Sequence, residues 1–225
     1  MVAIFVVGLV VLFLAVDLAL AARGRKSIAQ QLMEREEARG EHQLVGGFQL
    51  ATDRAYHPGH TWARYLGEGL ARVGVDDFAS RLIGTPDAVE LPAVGAVVRA
   101  GRPLARVRRG ARRTSVVAPI SGVVTAVNRE LLEKPARLGQ SPYSEGWMVE
   151  VKGDSLRLDL RALLSGELAR RWMDESVAVM HRLFSPPEAL PAAADGGRAV
   201  DGISDQMDDP TWERARSRFL LTDPD

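Results

Sequence analysis

AVELPAVGAVVRAG at residues 88–101 indicates the fold class of this chain, together with TSVVAPISGVVTAVN at residues 114–128. Its apolar residues come in short, valine-rich runs separated by glycine, proline or charged residues, which is the pattern of short β-strands joined by turns. Residues 69–75, GLARVGV, follow the same pattern. Because small barrels and pairs of packed sheets bury such strands and protect their edges, the sequence predicts a mainly β domain of one of these types.

Four segments of this region resemble the glycine cleavage H proteins, in register. They are HPGHTWARYLGEGLARVGVDDFA (57–79), VELPAVGAVVRAG (89–101), APISGVVTAVN (118–128) and SPYSEGWMVEV (141–151). The positions that carry the resemblance include His60, Trp62, Gly74, Asp77, Phe78, Ala79, Glu90, Leu91, Pro92, Gly95, Pro119, Ser121, Gly122, Asn128, Pro142, Tyr143, Gly146 and Trp147. The resemblance covers residues 55 to about 175 and implies a barrel-sandwich hybrid fold, with two small sheets and short carboxyl-terminal helices.

Residues 156–175, LRLDLRALLSGELARRWMDE, are expected to supply these helices. Leu160, Leu163, Leu164 and Leu168 are spaced for one helix face, and Ser165-Gly166-Glu167 predicts a break between two short helices. We therefore expect the H-protein-like domain, of lipoyl type, to span residues 55–184.

The resemblance also implies a carrier site, because H proteins and lipoyl domains bear lipoate on a lysine at the tip of a tight β-turn. Counting back without gaps from Pro119 places Ala111 at that position. Residues 103–118 contain no lysine, and the chain has lysine only at Lys26, Lys134 and Lys152. Since a guanidinium stays protonated and is a poor nucleophile, arginine cannot replace the lysine. We expect no lipoylation and no other cofactor. No nucleophile motif or acid–base pair indicates an enzyme.

A cluster of five arginines replaces the expected lysine turn. Within eight residues the chain carries Arg106, Arg108, Arg109, Arg112 and Arg113. This cluster is either a solvated charged turn or an anion-binding tip for a protein partner's acidic surface or for anionic lipid headgroups. Nucleic acid is not expected, because aromatic residues are not interleaved and the net charge of the chain is zero. His57 and His60 have no neighbouring ligands, so no metal site is expected.

An apolar stretch at the amino terminus predicts a membrane anchor. Residues 2–22 are apolar apart from Asp17 and long enough to cross a bilayer as a helix, so residues 1–23 are assigned as a transmembrane anchor. A cleaved signal peptide is the alternative. The basic residues Arg23, Arg25 and Lys26 predict a single-pass protein of the inner membrane, with its amino terminus outside and its main domain in the cytoplasm. Residues 24–54 are expected to form a polar stalk.

The carboxyl-terminal part of the chain changes composition. Residues 185–209 are rich in Pro, Ala, Gly and Asp without periodicity, which predicts a flexible linker. Residues 210–225 place Trp212 and Phe219 at helical spacing, so they predict a short helix that docks on a partner, with a frayed tail as the alternative.

Three functions are compatible with these features. The first is a membrane-anchored, non-lipoylated, H-protein-like scaffold or binding subunit at the cytoplasmic face. The second is an H-type lipoyl carrier of the glycine cleavage system, or an accessory to that or another lipoate-dependent system. The third is a periplasmic adaptor of the membrane-fusion type, which the basic flank after the anchor and the lack of a long helical hairpin disfavour.

Overall fold

The structure is a computed structural model that describes residues 42–184 and 202–221. The predicted anchor at residues 1–23 and the linker up to residue 201 lie outside the described residues, as does most of the predicted stalk. By its internal contacts the chain divides into two compact units, and all described residues belong to the unit at 40–225. Among these residues, no helix has the length and apolarity that a membrane span needs.

The described residues form eleven strands and six α-helices. The strands are β1 (His42–Val45), β2 (Phe48–Ala51), β3 (Ala55–His57), β4 (Thr61–Gly67), β5 (Leu70–Val75), β6 (Ala88–Glu90), β7 (Val97–Val98), β8 (Pro103–Arg109), β9 (Arg112–Val117), β10 (Gly122–Val127) and β11 (Val149–Lys152). The helices are α1 (Asp77–Ile83), α2 (Arg129–Glu133), α3 (Arg137–Gln140), α4 (Leu156–Ala162), α5 (Gly166–Phe184) and α6 (Asp209–Ala215). A 3₁₀ turn (Ile203–Gln206) precedes α6, and a wide helical turn (Arg216–Leu220) follows it.

The strands pair antiparallel in three sheets. Six strands form one sheet in the order β3-β4-β5-β11-β10-β7, three form a second in the order β6-β8-β9, and β1 pairs with β2. The prediction of a mainly β domain is confirmed, and β1 with β2 adds a third sheet to the two that were expected. Trp62 and Phe78 are fully buried, and the indole N–H of Trp62 donates to the carbonyl of Val75 over 2.7 Å.

The predicted stalk ends earlier than expected. Residues 42–51 form the β1–β2 hairpin, in which Gly46 and Gly47 have positive φ angles of 55° and 87°. Phe48 is buried, with its ring centroid 4.9 Å from that of Phe78. The assignment of residues 42–54 to a polar stalk is therefore wrong, because the two glycines close a hairpin instead of separating a stalk from a domain.

The helical region also differs from the prediction. The break lies where expected, between α4 and α5, but α5 is 19 residues long. Leu164 lies outside both helices and pairs through its backbone with Tyr56, and Leu168 is 64% exposed. The single leucine face is therefore wrong. The buried face of α5 consists of Ala169, Met173, Val177 and Met180.

Residues 202–221, here called the strap, fold back onto the domain. Its apolar residues Trp212, Ala215, Phe219 and Leu220 are all buried. The predicted linker is therefore wrong for residues 202–209, which are folded, and the frayed tail is excluded for residues 210–221. The reason is that the strap supplies apolar side chains to the core of the domain, and burial of such side chains outweighs the cost of ordering the segment.

Candidate functional site: the arginine hairpin

Strands β8 and β9 form a tight hairpin, here called the arginine hairpin, which carries the five arginines singled out from the sequence. Arg109 and Arg112 are its last cross-strand pair, so the turn consists of Gly110 and Ala111, which are both exposed. Gly110 has a φ of 57°, a left-handed conformation that glycine adopts without strain. Ala111, the position where the resemblance implies lysine, thus lies at the tip of a tight β-turn.

Strand alternation divides the five arginines between the two faces of the hairpin. Successive side chains of a strand point to opposite faces, and directly paired residues share a face. Arg109 and Arg112 therefore lie on the face of the buried residues Val107 and Thr114, here called the inner face. The outer face carries Arg106, Arg108 and Arg113, which are exposed.

The strap covers Arg109 on the inner face. The guanidinium of Arg109 donates to the carboxylate of Asp205 over 2.5 Å and to the hydroxyl of Ser204 over 3.3 Å. It also donates to the carbonyl of Ile83, at the end of α1, over 2.9 Å. Arg109 thus connects three parts of the fold that are far apart in the sequence.

Arg112 is held by the strap alone. It donates to the backbone carbonyls of Ser204 and Met207, the second over 2.8 Å, and lies 3.4 Å from the carboxylate of Asp209. Its guanidinium carbon lies 5.3 Å from the ring centroid of Trp212, within the range of a cation–π contact. Of the five predicted partner-binding arginines, Arg109 and Arg112 are therefore bound by the strap.

The acidic residues of the strap also organise its own helix. Asp208 is the N-cap of α6, where its carboxylate accepts from the backbone N–H of Thr211 over 2.9 Å. Hydrogen bonds from the side chain and backbone of Thr211 lower the pKa of Asp208. Because a folded-state pKa below the ordinary value favours the charged form, this carboxylate is ionised at neutral pH.

The second half of the strap closes an aromatic cluster. Phe219 packs edge-on against Phe78 at a centroid distance of 5.0 Å and lies 6.0 Å from the ring of His60. His60 stacks on Phe78 at 4.1 Å, and its Nδ1 lies 2.7 Å from a carboxylate oxygen of Asp76. Both polar residues are fully buried. The strap is thus held at one end by polar contacts and at the other by aromatic packing.

Trp212 and Phe219 are placed within the chain itself. The sequence predicts that both residues bind a partner, and this stays a prediction. In the structure both side chains are buried against the domain. Ser204 and Asp205, which bind the arginines, were not predicted from the sequence. The signal was available, because an acidic segment (residues 205–209, DQMDD) complements an arginine cluster in the same chain.

On the outer face, the arginines border a groove. A cavity of about 420 Å³ is lined by Glu90, Val107 and the three outer arginines, Arg106, Arg108 and Arg113. Arg108 lies 3.7 Å from the carboxylate of Asp87, which also accepts from the backbone N–H of Gly110 over 2.6 Å. Within the part of the chain that the structure describes, the side chains of Arg106 and Arg113 have neither an ion pair nor a hydrogen bond.

The residues at the hairpin tip do not fit lipoate. An amide to lipoate needs an amine at the turn, and Gly110 and Ala111 provide none. The two lysines among the described residues lie elsewhere, with Lys134 directly after α2 and Lys152 at the end of β11. Groups of three or more metal-ligating side chains are also not found among residues 42–184 and 202–221.

Gly84 directly follows α1 and lies against Arg109 of the hairpin and Gly202 of the strap. We expect its substitution by alanine to destabilise the fold. Its φ is 79°, and an added Cβ would lie 2.1 Å from the guanidinium of Arg109 and 2.9 Å from the backbone of Gly202. Gly84→Ala should lower the free energy of unfolding by about 1–3 kcal/mol, because it combines backbone strain with displacement of Arg109. Urea denaturation measures this loss.

The matched control is Gly139→Ala in α3. An added Cβ there meets no heavy atom within 4 Å and the backbone has no positive φ. This variant should stay within about 0.5 kcal/mol of the wild type. Equal losses in the two variants would contradict the assignment of Gly84 to a crowded junction.

Comparison with known proteins places this domain among H proteins. The sequence profile of the family described as "Glycine cleavage H-protein" matches residues 54–176. A probable glycine cleavage system H protein of Pyrococcus abyssi is 34% identical over 123 residues, which are 55% of this chain and 91% of that protein. A glycine cleavage system H protein of Mycobacterium avium is 36% identical over 129 residues, 56% of this chain and 98% of that protein.

A solved structure is also similar, the crystal structure of a glycine cleavage system H protein from Mycobacterium marinum. It matches with 27% identity and a TM-score of 0.49, and the match covers 56% of this chain and 98% of that one. The family profile includes the arginine hairpin and ends at residue 176, before the strap begins.

Proposed function

Because the chain belongs to the glycine cleavage H-protein family, we propose that it is a member without lipoate that acts as a binding or scaffold subunit. In this proposal it is not an enzyme and carries no acyl or aminomethyl group. Its outer arginines bind a partner protein, and its amino terminus anchors it in the inner membrane with the domain on the cytoplasmic side. Nucleic acid and metal have no part in the proposal.

The turn of the arginine hairpin is the observation that carries the proposal. Gly110 and Ala111 form the tip, and Arg109 and Arg112 flank it. A carrier needs an amine that is free to form an amide and then to move between enzymes. Here the flanking side chains are guanidinium groups held by the strap. The tip therefore has no amine that could form the amide, and its flanking side chains are not free to move.

The membrane location is supported by the sequence of residues 2–22 and by the basic residues that follow. An apolar stretch of this length fits the hydrocarbon core of a bilayer, and basic flanks favour the cytoplasmic side. A domain tethered in this way meets its partners at the membrane surface. The partner is then a component of a membrane-associated complex.

The alternative is the function in the printed names of the relatives, a glycine cleavage system H protein. It would require lipoate on Lys26, Lys134 or Lys152. Lys134 follows a short helix and Lys152 ends a strand between two neighbours, so neither has the tight hairpin setting of Ala111. An accessory role in such a system, without its own lipoate, remains compatible with the proposed function.

Intact mass spectrometry of the full-length protein tests the proposal. The protein is purified in detergent from the membranes of its own cells, grown with lipoate, and everything that copurifies is identified. We expect the mass of the unmodified polypeptide and a stoichiometric protein partner, because no amine is presented at the hairpin tip. As a control, a lipoylated protein from the same cells should show its added mass.

A mass increase of one lipoyl group would overturn the proposal, and digestion would then locate the modified lysine. If the protein is recovered in the soluble fraction with the mass of the complete polypeptide, the proposed membrane anchor is wrong, and the rest of the proposal is unaffected. A shortened amino terminus would indicate a cleaved signal peptide instead of an anchor.

A further inference from the structure

The arginine hairpin contains two successive pairs of directly opposed arginines. Arg109 pairs with Arg112 on the inner face, and Arg108 pairs with Arg113 on the outer face. Like charges directly opposite each other in a sheet are destabilising. Anionic groups close to each face would relieve this repulsion.

The inner pair has its anionic groups within the chain. The strap brings the carboxylates of Asp205 and Asp209 and the backbone carbonyls of Ser204 and Met207 to these two guanidinium groups. The inner arginine pair thus has one type of ligand. It is an acidic protein segment that presents carboxylates and backbone oxygens together.

The outer pair lacks such a ligand. Asp87 approaches Arg108 at 3.7 Å, and its side chain is 51% exposed. Arg106 extends the pair along β8 and borders the same groove of about 420 Å³ as Arg108 and Arg113. Three arginines thus line one groove on the outer face.

We infer that Arg106, Arg108 and Arg113 form a recognition site for an acidic segment of a partner protein, as the strap is recognised on the inner face. The inference rests on the proposed function and specifies the partner's chemistry. A guanidinium group can bind a carboxylate through two parallel hydrogen bonds. The strap itself remains in place, because its aromatic half is buried.

An acidic protein segment is favoured over anionic lipid headgroups by the other charges at the groove. Glu90 lines it, and Asp87 lies beside Arg108. A flat, uniformly anionic membrane surface would meet both carboxylates together with the arginines, which cancels most of the attraction. A peptide with spaced carboxylates avoids them and pairs with the arginines alone.

Binding of a defined peptide to the full-length protein in nonionic detergent tests the site. The probe is a fluorescein-labelled peptide with the strap sequence SDQMDDPTW, and a second peptide with asparagine at the three aspartate positions is its control. Fluorescence anisotropy at low salt should detect the acidic peptide alone. Arg108→Gln/Arg113→Gln should weaken binding by about tenfold, and added salt should weaken it further.

The matched control is Arg99→Gln/Arg102→Gln, which removes the same charge from exposed arginines outside the groove. It should change the affinity by less than about twofold if the site is specific. Equal losses in the two double variants, or no binding of the acidic peptide to the wild type, would overturn the inference. Hydrogen exchange of strap amides in the variant checks that the inner face stays intact.

Mixed micelles of the detergent with phosphatidylserine distinguish lipid from protein. The inference fails if the site binds lipid instead of the peptide. In that case phosphatidylserine protects residues 106–113 from hydrogen exchange, Arg108→Gln/Arg113→Gln abolishes this protection, and the peptide does not bind. The proposed function is judged separately by the intact mass and by the copurifying partner. An unmodified mass with a partner but no peptide binding would leave that function in place.

Discussion

Phe219→Ala should lower the free energy of unfolding by about 3–5 kcal/mol, the usual cost of removing a buried phenylalanine ring. The ring is 3% exposed and fills the space beside Phe78 and His60. Its loss would leave a cavity under the strap. Urea denaturation followed by far-UV circular dichroism measures the change.

The control for this variant is Leu168→Ala, since Leu168 is 64% exposed on α5. Its loss should stay within about 0.5–1 kcal/mol. If Phe219→Ala costs no more than the control, the strap is not a part of the core. Hydrogen exchange adds a second readout, because the amides of residues 209–220 should open more readily in Phe219→Ala than those of β4 and β5.

The second large effect is expected for Asp76→Ala. This fully buried carboxylate has two partners. One oxygen lies 2.7 Å from Nδ1 of His60. The other caps α1 by accepting a hydrogen bond from the backbone N–H of Ala79 over 2.8 Å. Removal would leave a buried imidazole without its partner and α1 without its cap. We expect a loss of about 3–5 kcal/mol, because an unpaired buried polar group and a lost cap both destabilise.

Asp76→Asn separates these two contributions. Asparagine is a good N-cap residue and keeps an oxygen for Ala79, so the cap survives while the charge is lost. Its loss should be clearly smaller than that of Asp76→Ala. Asp154→Ala, at an exposed position in a turn, is the control and should have little effect. Equal losses for alanine and asparagine would mean that the cap contributes nothing.

The stability of the strap comes mainly from its apolar half. Its ion pairs are partly solvated, since the side chains of Asp205 and Asp209 are 60% and 92% exposed. Pairs of this kind contribute at most about 1 kcal/mol each. The buried side chains Trp212, Phe219 and Leu220 contribute about 1.5–3 kcal/mol each. The polar contacts therefore fix where the strap lies on the arginine hairpin, while the aromatic half holds it there.

This division changes the interpretation of the arginine cluster. From the sequence, five arginines form one basic tip, with equal access to a partner. In the fold, the period of two along a strand sends Arg109 and Arg112 to the strap and leaves Arg106, Arg108 and Arg113 for other ligands. A substitution at Arg112 should therefore act on the strap, and a substitution at Arg113 on partner binding.

The fold class, the extent of the H-protein-like region and the absence of lysine from the turn at Ala111 could all be predicted from the sequence. These are local properties, because short valine-rich runs and turn residues can be recognised from residues that are adjacent in the sequence. Two features could be recognised only in the folded chain: residues 42–51 join the domain, and the strap covers the inner arginines. The hydrogen bonds from Arg112 to the strap join residues 92 and 95 positions apart, and no local pattern specifies which distant surface an acidic, aromatic segment will meet. The side chains of Ser204 and Asp205 acquire their role only when the chain returns to the hairpin.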